Sequence, residues 1–122
     1  MPQQRSQLVF VYGSLKRGYA LYPLLQGQQC LGSAVTQPWY RMFNLGSYPG
    51  LVEWPEGLAI RGEMYQVNFE CLRRLDEAEG VDQRLYVRRR ISLQGEFESG
   101  DAHAWFWLHA VQGLRDCGAE WP

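Results

Sequence analysis

One acidic residue on an apolar helix face is the first candidate for chemistry in this sequence. Residues 68–79 are typical of an amphipathic helix, and Gly80 follows where a C-terminal glycine stop belongs. On a helical wheel at about 100° per residue, Glu79 falls between Leu72 and Leu75 on the apolar stripe. Burial raises the pKa of a carboxyl toward the range in which it takes and returns a proton near neutral pH. The pattern therefore makes Glu79 a candidate for proton transfer.

The same helix allows a structural interpretation of this acid. Because helix ends fray, Glu79 could turn to solvent or pair with Arg84 or Arg88. Asp76 lies at the edge of the apolar stripe, so we expect it to be a rim or capping carboxylate.

A glycine loop after a strand offers a binding site. Residues 8–11 are aliphatic, aromatic or β-branched without a break, which is typical of a strand covered on both faces. Gly13 ends this run, Gly18 closes a short polar turn, and residues 19–25 follow at helix-like spacing. The main-chain N–H groups of such a loop can point in one direction and bind a carboxylate or phosphate. The alternative is a tight turn that needs glycine at a positive φ.

Short strands dominate the remaining sequence and must position these two features. A short helix is predicted at residues 19–26, and residues from 111 on give no clear signal. The pattern predicts an α+β fold, a small mixed β-barrel or curled sheet with one or two flanking helices. Further strands are predicted at residues 29–36, 39–45, 51–54, 58–67, 86–94 and 102–110.

Length and composition indicate one domain over residues 1–122. The chain has 122 residues and 46% hydrophobic content, enough for a single core. Residues 1–7 are polar and lack the apolar segment of a secretion signal, and no run reaches the length of a membrane span. A net charge of -1 predicts no general attraction to nucleic acid or to an anionic membrane. We therefore expect a soluble, cytoplasmic protein.

The cysteines, histidines and Ser14 indicate no second type of site. Ser14 has no G-x-S-x-G elbow, so its hydroxyl is better suited to hydrogen bonding than to nucleophilic attack. His103 and His109 lack a third ligand, so we expect no metal site. The arginines at 88–90 alternate between strand faces, which splits their charge. Three cysteines in no C-x-x-C pairing are expected to be reduced thiols, at Cys30, Cys71 and Cys117.

Four short motifs occur in order between residues 9 and 93. They are Y-G-S-L at 12–15, a glycine-proline turn at 45–51, G-E-M-Y at 62–65, and L-D-E-A-E-G at 75–80 with Tyr86 and Arg88 beyond it. Together they resemble the Y-G-[ST]-L, G-E-[VL]-Y and L-D-x-x-E-G…Y-x-R pattern of the gamma-glutamylcyclotransferase-like superfamily. The similarity is to its gamma-glutamylamine cyclotransferase branch and to small bacterial members.

The resemblance implies a small barrel with a pocket at one end. It implies that the γ-glutamyl substrate cyclises to 5-oxoproline and releases an amine or amino acid, with Glu79 as general acid and base. No cofactor or metal is required for this reaction. Tyr48 and Tyr86 are possible pocket residues, although a core role is the default for aromatic side chains. The implied substrate-binding residues are Tyr12, Gly13, Ser14 and Leu15.

Two competing functions remain open at this point. One is a binding or regulatory module that keeps the pocket without turnover. The other is a nucleic-acid-binding barrel, which the near-neutral charge disfavours. Many relatives also have an asparagine and a histidine after the loop, where this chain has residues 19–22, Y-A-L-Y. That difference concerns the leaving group more than the reaction.

Overall fold

Seven short strands and one α-helix make up the fold, which a computed structural model describes for residues 5–122. The first four residues of the predicted polar N-terminal segment lie outside the described residues. Within residues 5–122, no helix is long and apolar enough to span a membrane. The elements are β1 (Ser6–Val11), β2 (Gln29–Val35), β3 (Tyr40–Asn44), β4 (Pro49–Glu53), β5 (Arg61–Asn68), α1 (Phe69–Ala78), β6 (Tyr86–Arg90) and β7 (Ala102–Trp107), with 3-10 helices at Tyr22–Leu25 and Gly95–Phe97.

β1 is the central strand of a five-stranded sheet with the order β2-β5-β1-β7-β6. It pairs antiparallel with β5 and parallel with β7. Val9 and Val11 pack into one apolar cluster together with Leu75 of α1, and Phe10 packs into a second cluster on the other face. The uninterrupted apolar run thus follows from burial on both faces, as predicted.

The predicted α+β class is confirmed, but the sheet does not close into a complete barrel. β2 and β6 form its two edges, while β3 and β4 make a separate two-stranded sheet. The edges meet only beyond the strands, at an isolated antiparallel bridge between Thr36 and Leu93. Because this contact involves one bridge and not a strand ladder, the sheet curls strongly without forming a continuous ring.

Both ends of α1 are fixed by specific hydrogen bonds. Asn68 caps the N-terminus, where its side-chain oxygen accepts from the Cys71 N–H at 2.8 Å. At the C-terminus, Gly80 has a φ of 68° and its N–H donates to the Glu77 carbonyl at 3.0 Å. The Val81 N–H donates to the Asp76 carbonyl at 3.0 Å, which completes a Schellman motif. These bonds therefore hold the backbone of residue 79 at the helix terminus.

The predicted helix at residues 19–26 is only a 3-10 helix at Tyr22–Leu25. Pro23 lies in its first turn, where the missing N–H is tolerated. The preceding segment folds back on the glycine loop, because the Leu21 N–H donates to the Ser14 carbonyl at 2.8 Å. This bond ties the start of the segment to the loop.

The C-terminal segment, for which the sequence gives no signal, packs across the two sheets. Asp116 forms an isolated bridge with Phe43 of β3. The Trp121 carbonyl accepts hydrogen bonds from Lys16 Nζ at 2.7 Å and from the Tyr19 hydroxyl at 3.2 Å. The segment therefore supports the outer side of the glycine loop.

Candidate active site

A small pocket lies where the end of β1 meets the C-terminal end of α1. Every residue predicted for the site lines it, together with three others that the sequence did not single out. The structure therefore brings the glycine loop and the predicted acid into one cavity. The lining residues are Val11, Tyr12, Gly13, Ser14, Leu15, Tyr48, Pro49, Glu79, Tyr86 and Trp105.

The glycine loop lines this pocket and has main-chain donors that no described residue uses. The carbonyls of Gly13 and Ser14 accept from the N–H groups of Lys16 and Leu21, at 2.9 and 2.8 Å. Strand pairing of β1 ends at Val11. Within residues 5–122, the N–H groups of Gly13, Ser14 and Leu15 have no acceptor in a main chain or side chain. These three donors suit an anionic group.

Gly13 allows the loop to approach the wall opposite. A Cβ atom at this position would lie 2.6 Å from Pro49 Cγ and 2.8 Å from Pro49 Cδ. Such distances are well inside van der Waals contact, so any larger residue would displace the loop or the proline. The absence of a side chain thus allows the loop to pack directly against Pro49.

Glu79 lies at the helix C-cap with its carboxylate facing the pocket. Its N–H donates to the Leu75 carbonyl at 3.0 Å, which continues the helical pattern to this residue. Among the described residues, no donor or cation bonds to its carboxylate. Burial raises its pKa from 4.5 to about 7, and the charge of Asp76 adds to the shift. A carboxyl with this pKa can both accept and return a proton near neutral pH.

Arg88, which the sequence allowed as a partner of Glu79, forms its ion pair with Asp76 instead. The Asp76 Oδ1 atom accepts from Arg88 Nε and from Trp105 Nε1, both at 2.9 Å. Arg88 also lies 2.6 Å from His103 Nδ1. Because Asp76 holds Arg88, that arginine leaves Glu79 unpaired. Asp76 is therefore a partly buried, hydrogen-bonded acid, and it raises the pKa of Glu79 from outside the pocket lining.

Two buried tyrosines form fixed walls of the pocket. The Tyr12 hydroxyl donates to the Trp105 carbonyl at 2.6 Å, and the Tyr86 hydroxyl donates to the Pro49 carbonyl at 2.7 Å. Burial is the largest cause that raises the pKa of each phenol, and the Glu79 charge contributes to both. Tyr48 is more exposed, and its ring centroid lies 6.5 Å from that of Tyr86.

The two histidines lie away from this pocket. His103 bonds to Arg88, and His109 Nε2 bonds to the Arg84 carbonyl at 2.8 Å. Neither lines the pocket that contains Ser14. Within residues 5–122, no three His, Cys, Asp or Glu side chains cluster closely enough to hold a metal ion. The chemistry available to the pocket residues themselves is therefore anion binding beside a proton-carrying acid.

Sequence comparison links this geometry to a known family. The family model described as "Gamma-glutamyl cyclotransferase, AIG2-like" matches residues 9–121. The chain belongs to this family. The resemblance inferred from the four motifs is thereby confirmed, and the matched range includes both the glycine loop and α1.

Relatives from distant organisms carry names of the same kind. A Vibrio cholerae protein provisionally named as a gamma-glutamylcyclotransferase is 36% identical over 111 residues, covering 91% of this chain and 92% of the relative. A Methanocaldococcus jannaschii protein with the same provisional name is 32% identical over 105 residues, covering 84% of each chain. The crystal structure of an AIG2-like protein from Mus musculus matches with a TM-score of 0.80 and 25% identity, covering 94% of this chain and 88% of that chain.

Three pocket residues have weak sequence signals in this family member. Val11 looks like a core strand residue, and Pro49 looks like a turn residue. Trp105 belongs to a predicted strand that is apolar on both faces, so no pattern marks its indole N–H as the partner of Asp76. Pairing of β1 with β7 brings Trp105 beside the loop. Because the two strands are far apart in the sequence, no local sequence pattern predicts this contact.

Proposed function

We propose that this protein cyclises a γ-glutamyl amine or γ-glutamyl peptide to 5-oxoproline and releases the amine. The family assignment and the names of its relatives indicate this general class of activity. The observation that carries the proposal is the combination of one proton-carrying acid, Glu79, with three free main-chain donors in a single pocket. Neither feature alone specifies the reaction. Cyclisation of a γ-glutamyl group needs donors for its α-carboxylate and an acid that carries a proton between its nitrogens.

The glycine loop is assigned to the α-carboxylate of the substrate. The N–H groups of Gly13, Ser14 and Leu15 provide donors without bringing a side-chain charge into the pocket. A carboxylate held by main-chain donors fixes the α-carbon, and with it the α-amine. Orientation of this amine over the γ-carbonyl favours closure of the five-membered lactam.

Glu79 is assigned to proton transfer. The α-amine of the substrate has a pKa of about 8, so most of it is ammonium at neutral pH and must lose a proton before it attacks. The Glu79 carboxylate accepts this proton. The neutral amine then forms a bond to the γ-carbon, and the protonated Glu79 donates to the departing nitrogen as the amide bond breaks.

The protons balance over the whole reaction. The α-nitrogen begins with three protons and ends with one in the lactam. The departing nitrogen begins with one and ends with three as an ammonium ion. Two protons thus move between nitrogens, Glu79 returns to its starting state, and the substrate supplies the nucleophile. Ser14 then serves as a binding residue, and no covalent enzyme intermediate is involved.

The test is formation of both products by the wild-type protein. γ-Glutamyl amines, γ-glutamyl dipeptides and glutathione are each incubated with it, and 5-oxoproline and the released amine are quantified. We expect equimolar products from at least one compound. Binding of a γ-glutamyl compound with no 5-oxoproline from any of them would overturn the proposal and favour a binding module.

A further inference from the structure

Arg88 is a cation that lies one helical turn away from Glu79. Its Nε atom donates to Asp76 Oδ1 at 2.9 Å. Asp76 and Glu79 are three residues apart, and Glu79 keeps a helical backbone conformation with φ of -85° and ψ of 0°. Side chains with this spacing are neighbours on a helix, about 5–6 Å apart at Cβ. A small rotation of Arg88 could therefore exchange one carboxylate for the other.

Such an exchange would remove the property that makes Glu79 useful. An arginine within a few ångströms of a carboxyl favours the charged form and lowers its pKa. The pKa of Glu79 is raised to about 7 by burial and by the charge of Asp76. Pairing with Arg88 would oppose both causes, so the carboxylate would accept a proton less readily near neutral pH.

His103 holds Arg88 from a second direction. The Nη1 atom of Arg88 lies 2.6 Å from His103 Nδ1. Because a guanidinium has donors only, this imidazole nitrogen must be the acceptor. The proton of the neutral imidazole then lies on Nε2, which is 3.6 Å from Asp101 Oδ1. Two acceptors on different elements therefore fix one guanidinium, Asp76 on α1 and His103 on β7.

The surroundings of His103 keep it able to accept. Burial is the largest cause that lowers its pKa from the ordinary value of 6.5, and the charge of Arg88 is the second. The two aspartates nearby oppose this shift without reversing it. The imidazole is therefore neutral over the pH range in which Glu79 titrates. The charged side chains that act on it are Arg88 and Arg90 of β6, Asp76 of α1, and Asp101 directly before β7.

We propose that His103 is a positioning residue: it holds Arg88 against Asp76 and so prevents this guanidinium from pairing with Glu79. The role rests on the proposed function, because Glu79 must stay unpaired to carry a proton between the nitrogens. His103 acts only through Arg88, since it does not line the pocket. Once released from His103, Arg88 would inhibit the enzyme that contains it.

The pKa of Glu79 tests this role without any substrate. It can be read from the carboxyl carbon resonance of Glu79 in carbon-13-labelled protein, assigned by its absence in Glu79→Gln. His103→Leu removes the acceptor, and we expect the pKa to fall from about 7 to about 6 or below. His103→Gln restores an acceptor oxygen and should keep it near 7. His103→Val, a β-branched substitution suited to a strand, replaces His103→Leu if that variant does not fold.

A second substitution separates the action of Arg88 from general damage to the strand. His103→Leu combined with Arg88→Met lacks the cation, so we expect the pKa of Glu79 to return to about 7 or above. Arg90→Met in the same background is the matched control, because Arg90 is an exposed cation on the same strand and lies opposite His103. It should leave the pKa low. An unchanged pKa in the folded His103 variant, or equal recovery with Arg88→Met and Arg90→Met, would overturn the inference.

Turnover measurements distinguish failure of this inference from failure of the proposed function. We expect kcat/KM for 5-oxoproline release to fall by about tenfold in His103→Leu and to recover when Arg88→Met is added. If Glu79 titrates as expected in every variant but no compound yields 5-oxoproline, the proposed function fails and the positioning of Arg88 stands. If the wild-type protein releases 5-oxoproline and His103→Leu matches its kcat/KM, the proposed function stands and this inference fails.

Discussion

Asp76 on the last turn of α1 lies three residues before Glu79 at the helix C-cap, and the charge of Asp76 raises the pKa of Glu79. Arg88 and Trp105 bond to the Asp76 carboxylate and hold it outside the pocket lining. Glu79 has no such partner among the described residues. The C-terminal end of the helix therefore carries two different acids. Asp76 is fixed by hydrogen bonds, and its charge raises the proton affinity of Glu79.

The pH dependence of turnover should depend on Asp76. Since Glu79 must be ionised to accept a proton, kcat/KM should rise with pH through about 7, the pKa of this group. Asp76→Asn removes a charge that raises this pKa, so the rise should move to lower pH. A pH profile of 5-oxoproline release measures the shift. Glu77→Gln removes a neighbouring exposed charge and serves as the control; a profile that Asp76→Asn leaves in place would contradict this role.

The stability of the protein should fall as pH rises, because of Glu79. In the unfolded chain this group titrates near 4.5, and in the folded protein near 7, so the folded state binds more protons between these values. The shift corresponds to about 3 kcal/mol of unfolding free energy lost between pH 4.5 and 7. Denaturant titrations at pH 5 and pH 8 should show this loss in the wild-type protein but not in Glu79→Gln. The comparison between the two proteins cancels the contributions of other titrating groups, including His103. Equal pH dependence of the unfolding free energy in both would argue against a desolvated Glu79.

Gly13 and Pro49 should be coupled energetically. Gly13→Ala places a Cβ atom 2.6 Å from Pro49 Cγ, and overpacking of this kind costs roughly 1–3 kcal/mol. Pro49→Ala removes the two atoms that cause the clash. The double variant should therefore recover most of the free energy lost by Gly13→Ala, as measured by urea denaturation. Strictly additive effects would mean that the loop does not rest against this proline.

Tyr86 should hold the opposite wall of the pocket through its hydroxyl. Tyr86→Phe leaves the buried Pro49 carbonyl without this donor, which costs roughly 1–3 kcal/mol of unfolding free energy. Tyr48 is 40% exposed, so Tyr48→Phe provides a matched loss of a hydroxyl with little effect on stability. Thermal denaturation of the two variants makes the comparison. Equal losses in both would show that the hydrogen bond to Pro49 is not what stabilises the wall.

Local patterns predicted the parts of the site that lie within single elements. The β1 run, Gly13 and the apolar stripe with Glu79 were each visible because strand burial and helix periodicity repeat along the chain. Gly80 predicted the helix end, and the Schellman bonds around it hold the backbone of Glu79 in place. The predicted position of Glu79 thus depended on one local motif.

Other features depend on contacts between distant residues, which local patterns do not record. The pairing of Asp76 with Arg88 and Trp105 follows from the order of β6 and β7 in the sheet. The C-terminal segment bonds through single bridges and isolated carbonyls, so it has no periodicity to detect. The incomplete closure of the barrel also has no local pattern, because the sheet edges meet at one bridge between Thr36 and Leu93 and not at a strand ladder.

The most direct test compares 5-oxoproline release by Glu79→Gln and Glu77→Gln with the wild-type protein, on one γ-glutamyl substrate. Both variants remove one carboxylate from the C-terminal end of α1, but only Glu79 lines the pocket. The account predicts that kcat/KM falls by about 10²–10⁴-fold in Glu79→Gln and is unchanged in Glu77→Gln. Wild-type kcat/KM in a folded Glu79→Gln protein would contradict it.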